Sequence, residues 1–170
     1  MAEEIVNKVA QSGLITLDLE EYYPEGERVL YDITNNLWQG IALKEKDFRA
    51  FVKEHDWTQY QDKFVAVYCS ADAIVPTWAY MLLASKLQPV ATKVVFGTLE
   101  TLNTVLFNTA LAKIDAPSFE GARVILKGCG KLPVPESAYV ELTNLLLPYV
   151  KSLMFGEPCS TVPIYKQPKK

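Results

Sequence analysis

Apolar and polar positions change their spacing several times along this chain, and each change marks an element. Ile5, Val6 and Val9 recur at helical spacing ahead of Gly13, which predicts a short entry helix over residues 3–12. Leu14-Ile15-Thr16-Leu17-Asp18-Leu19 alternates and predicts a strand. Two further runs, 28–33 and 37–43, flank Thr34-Asn35-Asn36, whose asparagines tolerate positive φ, so an antiparallel hairpin is expected there. Phe48, Phe51 and Val52 make one face of a helix near 46–55, which Asp56 and the polar run to Asp62 close.

From Lys63 the pattern changes. Phe64-Val65-Ala66-Val67-Tyr68 is nearly all apolar, as in a strand covered on both faces. Three strand–helix units are predicted from here: strand 64–68 with helix 73–87, which has Pro76 in its first turn; strand 93–96, meeting Gly97, with helix 99–113; and strand 123–126 with helix 136–153. Pro148 inside the last helix predicts a kink, and 161–165 a final edge strand. This order implies right-handed crossovers. The expected fold class is α/β, a mixed sheet whose parallel βαβαβα core is flanked by helices and extended by an N-terminal antiparallel hairpin. No internal repeat and no low-complexity stretch stands out.

Length and composition then narrow the class. With 170 residues, 49% hydrophobic and 22% charged, the chain fits a single domain over 1–170 that needs no disulfides. A net charge of −3, with both signs interspersed, offers no broad cationic face for nucleic acid. Lys166, Lys169 and Lys170 read as a solubilising tail. The acidic start Met1-Ala2-Glu3-Glu4 and the lack of an apolar run near the roughly 20 residues of a membrane span point to a cytoplasmic protein. Three widely spaced cysteines without a CxxC pair argue against a secreted disulfide framework or a thioredoxin-like centre, and predict reduced thiols.

The cysteines all fall where the backbone is expected to turn. Cys69 follows one core strand and Cys129 another, which puts both at the carboxyl edge of a parallel sheet, where ligands usually bind. The helix N-termini that follow favour thiolate over thiol. Gly128 and Gly130 around Cys129 either permit close backbone approach to a bound group or simply turn the strand into a loop. Asp72 is expected to cap a helix beginning at Ala73; its alternative role, beside Ser70 and Cys69, is that of a ligand or base. Glu136 either stabilises the first turn of the last helix or joins the site. Cys159 reaches this edge only if the last strand runs antiparallel to its neighbour.

Three thiolates, Cys69, Cys129 and Cys159, would suit zinc, iron or an iron–sulfur cluster, with Asp72, Glu136, His55 or an outside molecule as fourth ligand. Their spacing is not that of a zinc finger. His55, the only histidine, ends a surface helix, where it complements the helix dipole. A Gly-rich phosphate loop after a strand, a GxSxG elbow and an HExxH helix are all missing from the sequence. Trp38, on the expected hairpin, is a candidate contact in a homodimer.

Cys-Ser-Ala-Asp-Ala-Ile-Val-Pro-Thr-Trp-Ala-Tyr at 69–80, Lys-Gly-Cys-Gly at 127–130 with Val-Pro-Glu-Ser-Ala-Tyr-Val-Glu-Leu at 134–142, and Gly-Glu-Pro-Cys-Ser-Thr-Val-Pro at 156–163 strongly resemble the uncharacterised bacterial family catalogued as Domain of Unknown Function 2480. The resemblance runs over essentially the full length. It carries no assigned activity; what it implies is an association with iron–sulfur cluster assembly, and hence with assembly proteins as partners. Two functions follow as expectations. One is an accessory factor that handles metal or sulfur at a cysteine-lined site. The other is a non-catalytic scaffold whose cysteines are structural turn residues. A thiol enzyme or persulfide carrier lies between them.

Overall fold

In the computed structural model, which describes residues 13–128 and 130–168, the fully apolar run Phe64–Tyr68 (β3) is a central strand with parallel neighbours on both sides. Its partners are Arg28–Asp32 (β2) and Lys93–Phe96 (β4), giving a sheet of order β2-β3-β4. A second sheet pairs Leu14–Asp18 (β1) with Arg123–Lys127 (β5), then with Ser152–Glu157 (β6) and Ser160–Lys166 (β7), in the order β1-β5-β6-β7. All these pairings are parallel except that of β6 with β7. Four α-helices complete the described residues: Glu45–Glu54 (α1), Thr77–Leu87 (α2), Leu99–Leu111 (α3) and Glu136–Leu146 (α4). The α/β class is as expected. None of the helices is long and apolar enough to cross a membrane.

The chain divides into two compact units, one formed by Glu25–Leu106 and the other by the residues up to Pro24 together with those from Phe107 onward. Each has its own core, and the two cores are the same set of positions. In the first, Phe48, Val52, Val65, Val67, Ala79, Leu83 and Leu87 are buried together. In the second, Phe107, Leu111, Val124, Leu126, Ala138, Leu142 and Leu146 are. Every member of the second set lies 59 positions after its counterpart in the first, as 107 does after 48.

Strand register keeps the 59-residue spacing for the second and third strands of each unit, while the first strand of the second unit lies 14 residues before that of the first. Arg28, Phe64 and Lys93 are level across one sheet, and Leu14, Arg123 and Ser152 across the other. The turns keep the spacing too: Asp62 N–H donates to Val90 O at 2.9 Å, and Gly121 N–H to Tyr149 O at 2.8 Å. Asp62 and Gly121, both at positive φ (59° and 70°), make the same left-handed step into a core strand. The pattern Pro-x-x-Ala-Tyr-x-x-Leu-x-x-x-Leu-x-Pro occurs at 76–89 and again at 135–148. The sequence therefore contains an internal repeat that its low overall similarity hid. What the copies share is the apolar spacing that packs a helix on a parallel sheet, together with the prolines that bound the helix.

Those prolines also explain several departures from expectation. Helix α2 begins at Thr77 with Pro76 as N-cap, not at Ala73, because the proline ring fixes an extended entry (φ −68°, ψ 144°). Helix α4 ends at Leu146, ahead of Pro148, so no kink forms. The stretch read as its last turn instead starts β6. The expected hairpin does not form either. β1 and β2 go to separate sheets, Ile33–Asn36 is a 3-10 turn, and 37–43 contributes isolated bridges only. The antiparallel pair lies at the other end of the chain, between β6 and β7. The entry helix expected over 3–12 lies outside the described residues.

If the two units are one module, equivalent truncations should cost alike. Leu83 and Leu142 are both fully buried, so Leu83→Ala and Leu142→Ala are each expected to lose about 2–5 kcal/mol of unfolding free energy in urea titrations. A loss below about 1 kcal/mol at either position would show that its core is not packed as described.

Candidate functional site

In each unit the first strand ends in an aspartate that caps a 3-10 turn. Asp18 Oδ1 accepts from Glu20 N–H, and Asp32 Oδ1 from Thr34 N–H, both at 3.0 Å. The side chain two residues after each aspartate ties down the loop that leaves the neighbouring strand. Thr34 Oγ1 accepts from Ala71 N–H at 3.2 Å, and Glu20 Oε1 accepts from Gly130 N–H. Both loops thus leave the carboxyl edge of a parallel pair, where topology places a ligand site.

The two edges differ in chemistry. In the Glu25–Leu106 unit the edge carries hydroxyls and a thiol. Asp32 accepts from Ser70 N–H at 3.1 Å and from Ser70 Oγ–H at 2.5 Å. Burial pushes the Asp32 carboxyl up, but the hydrogen bonds from Ser70 and Thr34 outweigh it and hold it down at about 2. Cys69, half-buried, donates to Ala71 O at 3.5 Å and lies 3.6 Å from Thr34 Oγ1. Ser70 and Cys69 therefore serve the local turn. Asp72 is exposed and does not cap α2, which starts five residues later.

In the other unit the edge is charged. Lys127, at the end of β5, stands 3.4 Å from Asp18 on β1 and 3.8 Å from Glu157 on β6. Glu157 and then Asp18 raise the Lys127 ammonium above its usual range. Asp18, Glu20, Lys127, Lys131 and Glu157 border a cavity of about 380 Å³. Gly128 and Gly130 are shared between it and a larger cavity of about 630 Å³ lined by Leu126, Val134, Tyr139, Val140, Phe155 and Ile164, with Glu136 at its rim. A Cβ on Gly128 would sit 2.7 Å from the Tyr139 hydroxyl oxygen, so the close approach of this loop to α4 requires glycine. A sizeable apolar pocket with a few polar groups at its mouth is the usual form of a small-ligand site.

Residues 3–167 match the family model described as Protein of unknown function (DUF2480). The chain belongs to the DUF2480 family. Searches of curated proteins and of solved structures found no match.

Of the cysteines of this DUF2480 chain, Cys159 lies exposed in the turn between β6 and β7. Because β7 is antiparallel to β6, that turn sits at the carboxyl edge, the condition on which its participation depended. Cys129, between Gly128 and Gly130, lies outside the described residues. Cys69 belongs to the other unit. Among the described residues no three His, Cys, Asp or Glu side chains are grouped to hold a metal. His55 follows α1, with its ring 4.6 Å from that of Trp57 and its Nε2 2.9 Å from Gln59 Nε2. It is part of an aromatic cluster with Phe51 and Tyr60.

Sequence reading missed Asp18, Asp32, Thr34, Lys127 and Glu157. The signal was present, in the matching ends Leu17-Asp18-Leu19-Glu20 and Tyr31-Asp32-Ile33-Thr34, once the repeat is seen.

Asp32 gives a pH test. Its folded pKa lies below its unfolded one, so its charge contributes stability above about pH 4 that is lost as pH falls toward 2. The stability gap between wild type and Asp32→Asn should therefore narrow between pH 5 and pH 3 in urea titrations. A gap that is independent of pH would remove the carboxylate from this role.

Proposed function

We propose that this DUF2480 protein is an accessory factor in metal or sulfur handling, of the kind iron–sulfur cluster assembly requires, acting at the carboxyl edge of the β1-β5-β6-β7 sheet. The observation that supports this reading is the antiparallel return of β7, which leaves Cys159 exposed at the edge where the 128–130 loop departs. Cys129 enters the proposal through its place in that loop.

The proposal rests on two thiols rather than on a resident three-thiolate centre. Cys69 is engaged in its own turn, and no donor group of three stands among the described residues. A metal ion, a sulfur atom or a cluster is therefore cargo, held by Cys129 and Cys159 with remaining ligands from a cytoplasmic assembly partner. The open polar mouth beside the glycine-rich loop suits such transient handover better than a closed site would.

A second reading, a non-catalytic scaffold, is favoured by the local hydrogen bonding of Cys69, which needs no ligand. The two separate in one experiment. Protein exposed without oxygen to ferrous iron and sulfide is assayed for iron, acid-labile sulfide and absorption spectrum, beside Cys69→Ser, Cys129→Ser and Cys159→Ser. Uptake that survives Cys69→Ser but is lost in both other variants is the expected result. No uptake, or loss in Cys69→Ser alone, would overturn the cargo reading; absence of uptake with all variants folded leaves the scaffold.

A further inference from the structure

The repeat makes one difference between the units informative. In the unit that contains β6, the chain continues into β7, which pairs antiparallel with the β6 edge and sets Ile164 against the apolar cavity beside Val140 and Phe155. The counterpart of β6 is β4, and β4 is the last strand of its sheet. The counterparts of Pro133, Val140 and Phe155 are Ile74, Met81 and Phe96. All three are exposed, at 79%, 68% and 63%. Pro133 and Val140 are exposed too, Val140 at 62%, but Phe155 is half-buried beside β7; the strand edge and the phenylalanine that one copy of the module covers are thus bare in the other, next to an exposed apolar patch.

We propose that a second copy of this chain covers them, by antiparallel pairing of β4 with β4 of the partner. The strand is suited to pair with itself. Gly97 N–H donates to Val67 O at 3.0 Å, toward β3. Alternation along the strand then turns the N–H and C=O groups of Val94 and Phe96 to the free edge. A two-fold register centred on Val95 sets Val94 opposite Phe96 of the other copy as a hydrogen-bonded pair, and does so twice. In that register Val94 and Phe96 of both copies lie on the same face as α2, so the two patches meet.

Charge and area agree with this arrangement. Lys93, at the start of β4, and Glu100, in the first turn of α3 beyond its end, are both exposed, and the antiparallel register brings each lysine toward the end of β4 that leads into α3 in the other copy. Covering three side chains as exposed as Ile74, Met81 and Phe96 would remove roughly 400 Å² per copy, about half of what a standard interface needs, before strand backbone and flanking residues are counted. An isologous contact of this kind closes at two copies and leaves no further edge of the same type.

Sedimentation velocity on the full chain tests it. Wild type should sediment at twice 19.1 kDa. Val94→Pro removes the outward N–H that the partner needs while leaving the bonds to β3, and Met81→Lys charges the patch from a helix surface. Each should return the protein to a single copy with its circular dichroism unchanged. A wild type that sediments as a monomer or as a larger assembly, or a dimer that persists in both variants, would overturn the proposal.

Discussion

The parallel pairing of β1 with β5 is the constraint on which the rest depends. Leu14 lies level with Arg123, and Asp18 with Lys127, so the strand must find its partner across roughly 100 residues of intervening chain. Everything between Glu25 and Leu106 forms the other unit with its own sheet. This closure joins Asp18 and Glu20 to the edge formed by β5 and β6. Without it Lys127 would lose one of its two carboxylate neighbours, and the 128–130 loop the side chain that holds Gly130 N–H. Because loop closure cost rises only slowly with length, a long insertion is compatible with a stable sheet, although contacts so distant in sequence slow folding.

Duplication accounts for the form of the site as well as of the fold. Both units keep a capping aspartate after the first strand and a side-chain acceptor two residues on, because both loops need an anchor for an N–H that the sheet does not satisfy. Around that fixed frame the chemistry has diverged. Tyr68 and Thr98 in one unit correspond to Lys127 and Glu157 in the other, which adds an ion-paired lysine and a second carboxylate to the edge. The Tyr–Phe edge-to-face pair persists in both, Tyr80 with Phe96 at 4.9 Å and Tyr139 with Phe155 at 5.6 Å. The second pair lines a large apolar cavity that β7 also borders through Ile164.

Much of this was legible in the residues. The all-apolar run at 64–68, the helical face of Phe48 and Val52 and the strand before Gly97 all appear where the spacing put them. The misses share a physical cause. Arg28–Ile33 and the run at 37–43 flank a short turn-prone segment, so a hairpin was the nearest solution; local pattern cannot say that Arg28–Asp32 will instead join the distant Phe64–Tyr68. Leu145 to Val150 is apolar apart from its proline, and apolar content alone does not separate the end of a helix from the approach to a buried strand. Pro148 was the residue that decided it. At the site, cysteines and glycines drew attention because their chemistry is rare, whereas Asp18 and Asp32 read as ordinary strand ends until each was seen to hold a turn. Cys159 was legible only as a condition on strand direction.

The strand pairing itself can be measured directly. Long-range nuclear Overhauser contacts between backbone protons of isotopically labelled protein report which strands lie side by side. The account predicts contacts from Leu14–Asp18 to Arg123–Lys127 and from Arg28–Asp32 to Phe64–Tyr68, with the first residues of the paired strands level in both sheets. Contacts between Leu14–Asp18 and Arg28–Asp32 in place of these would contradict it, and would take the repeated module and its charged edge with them.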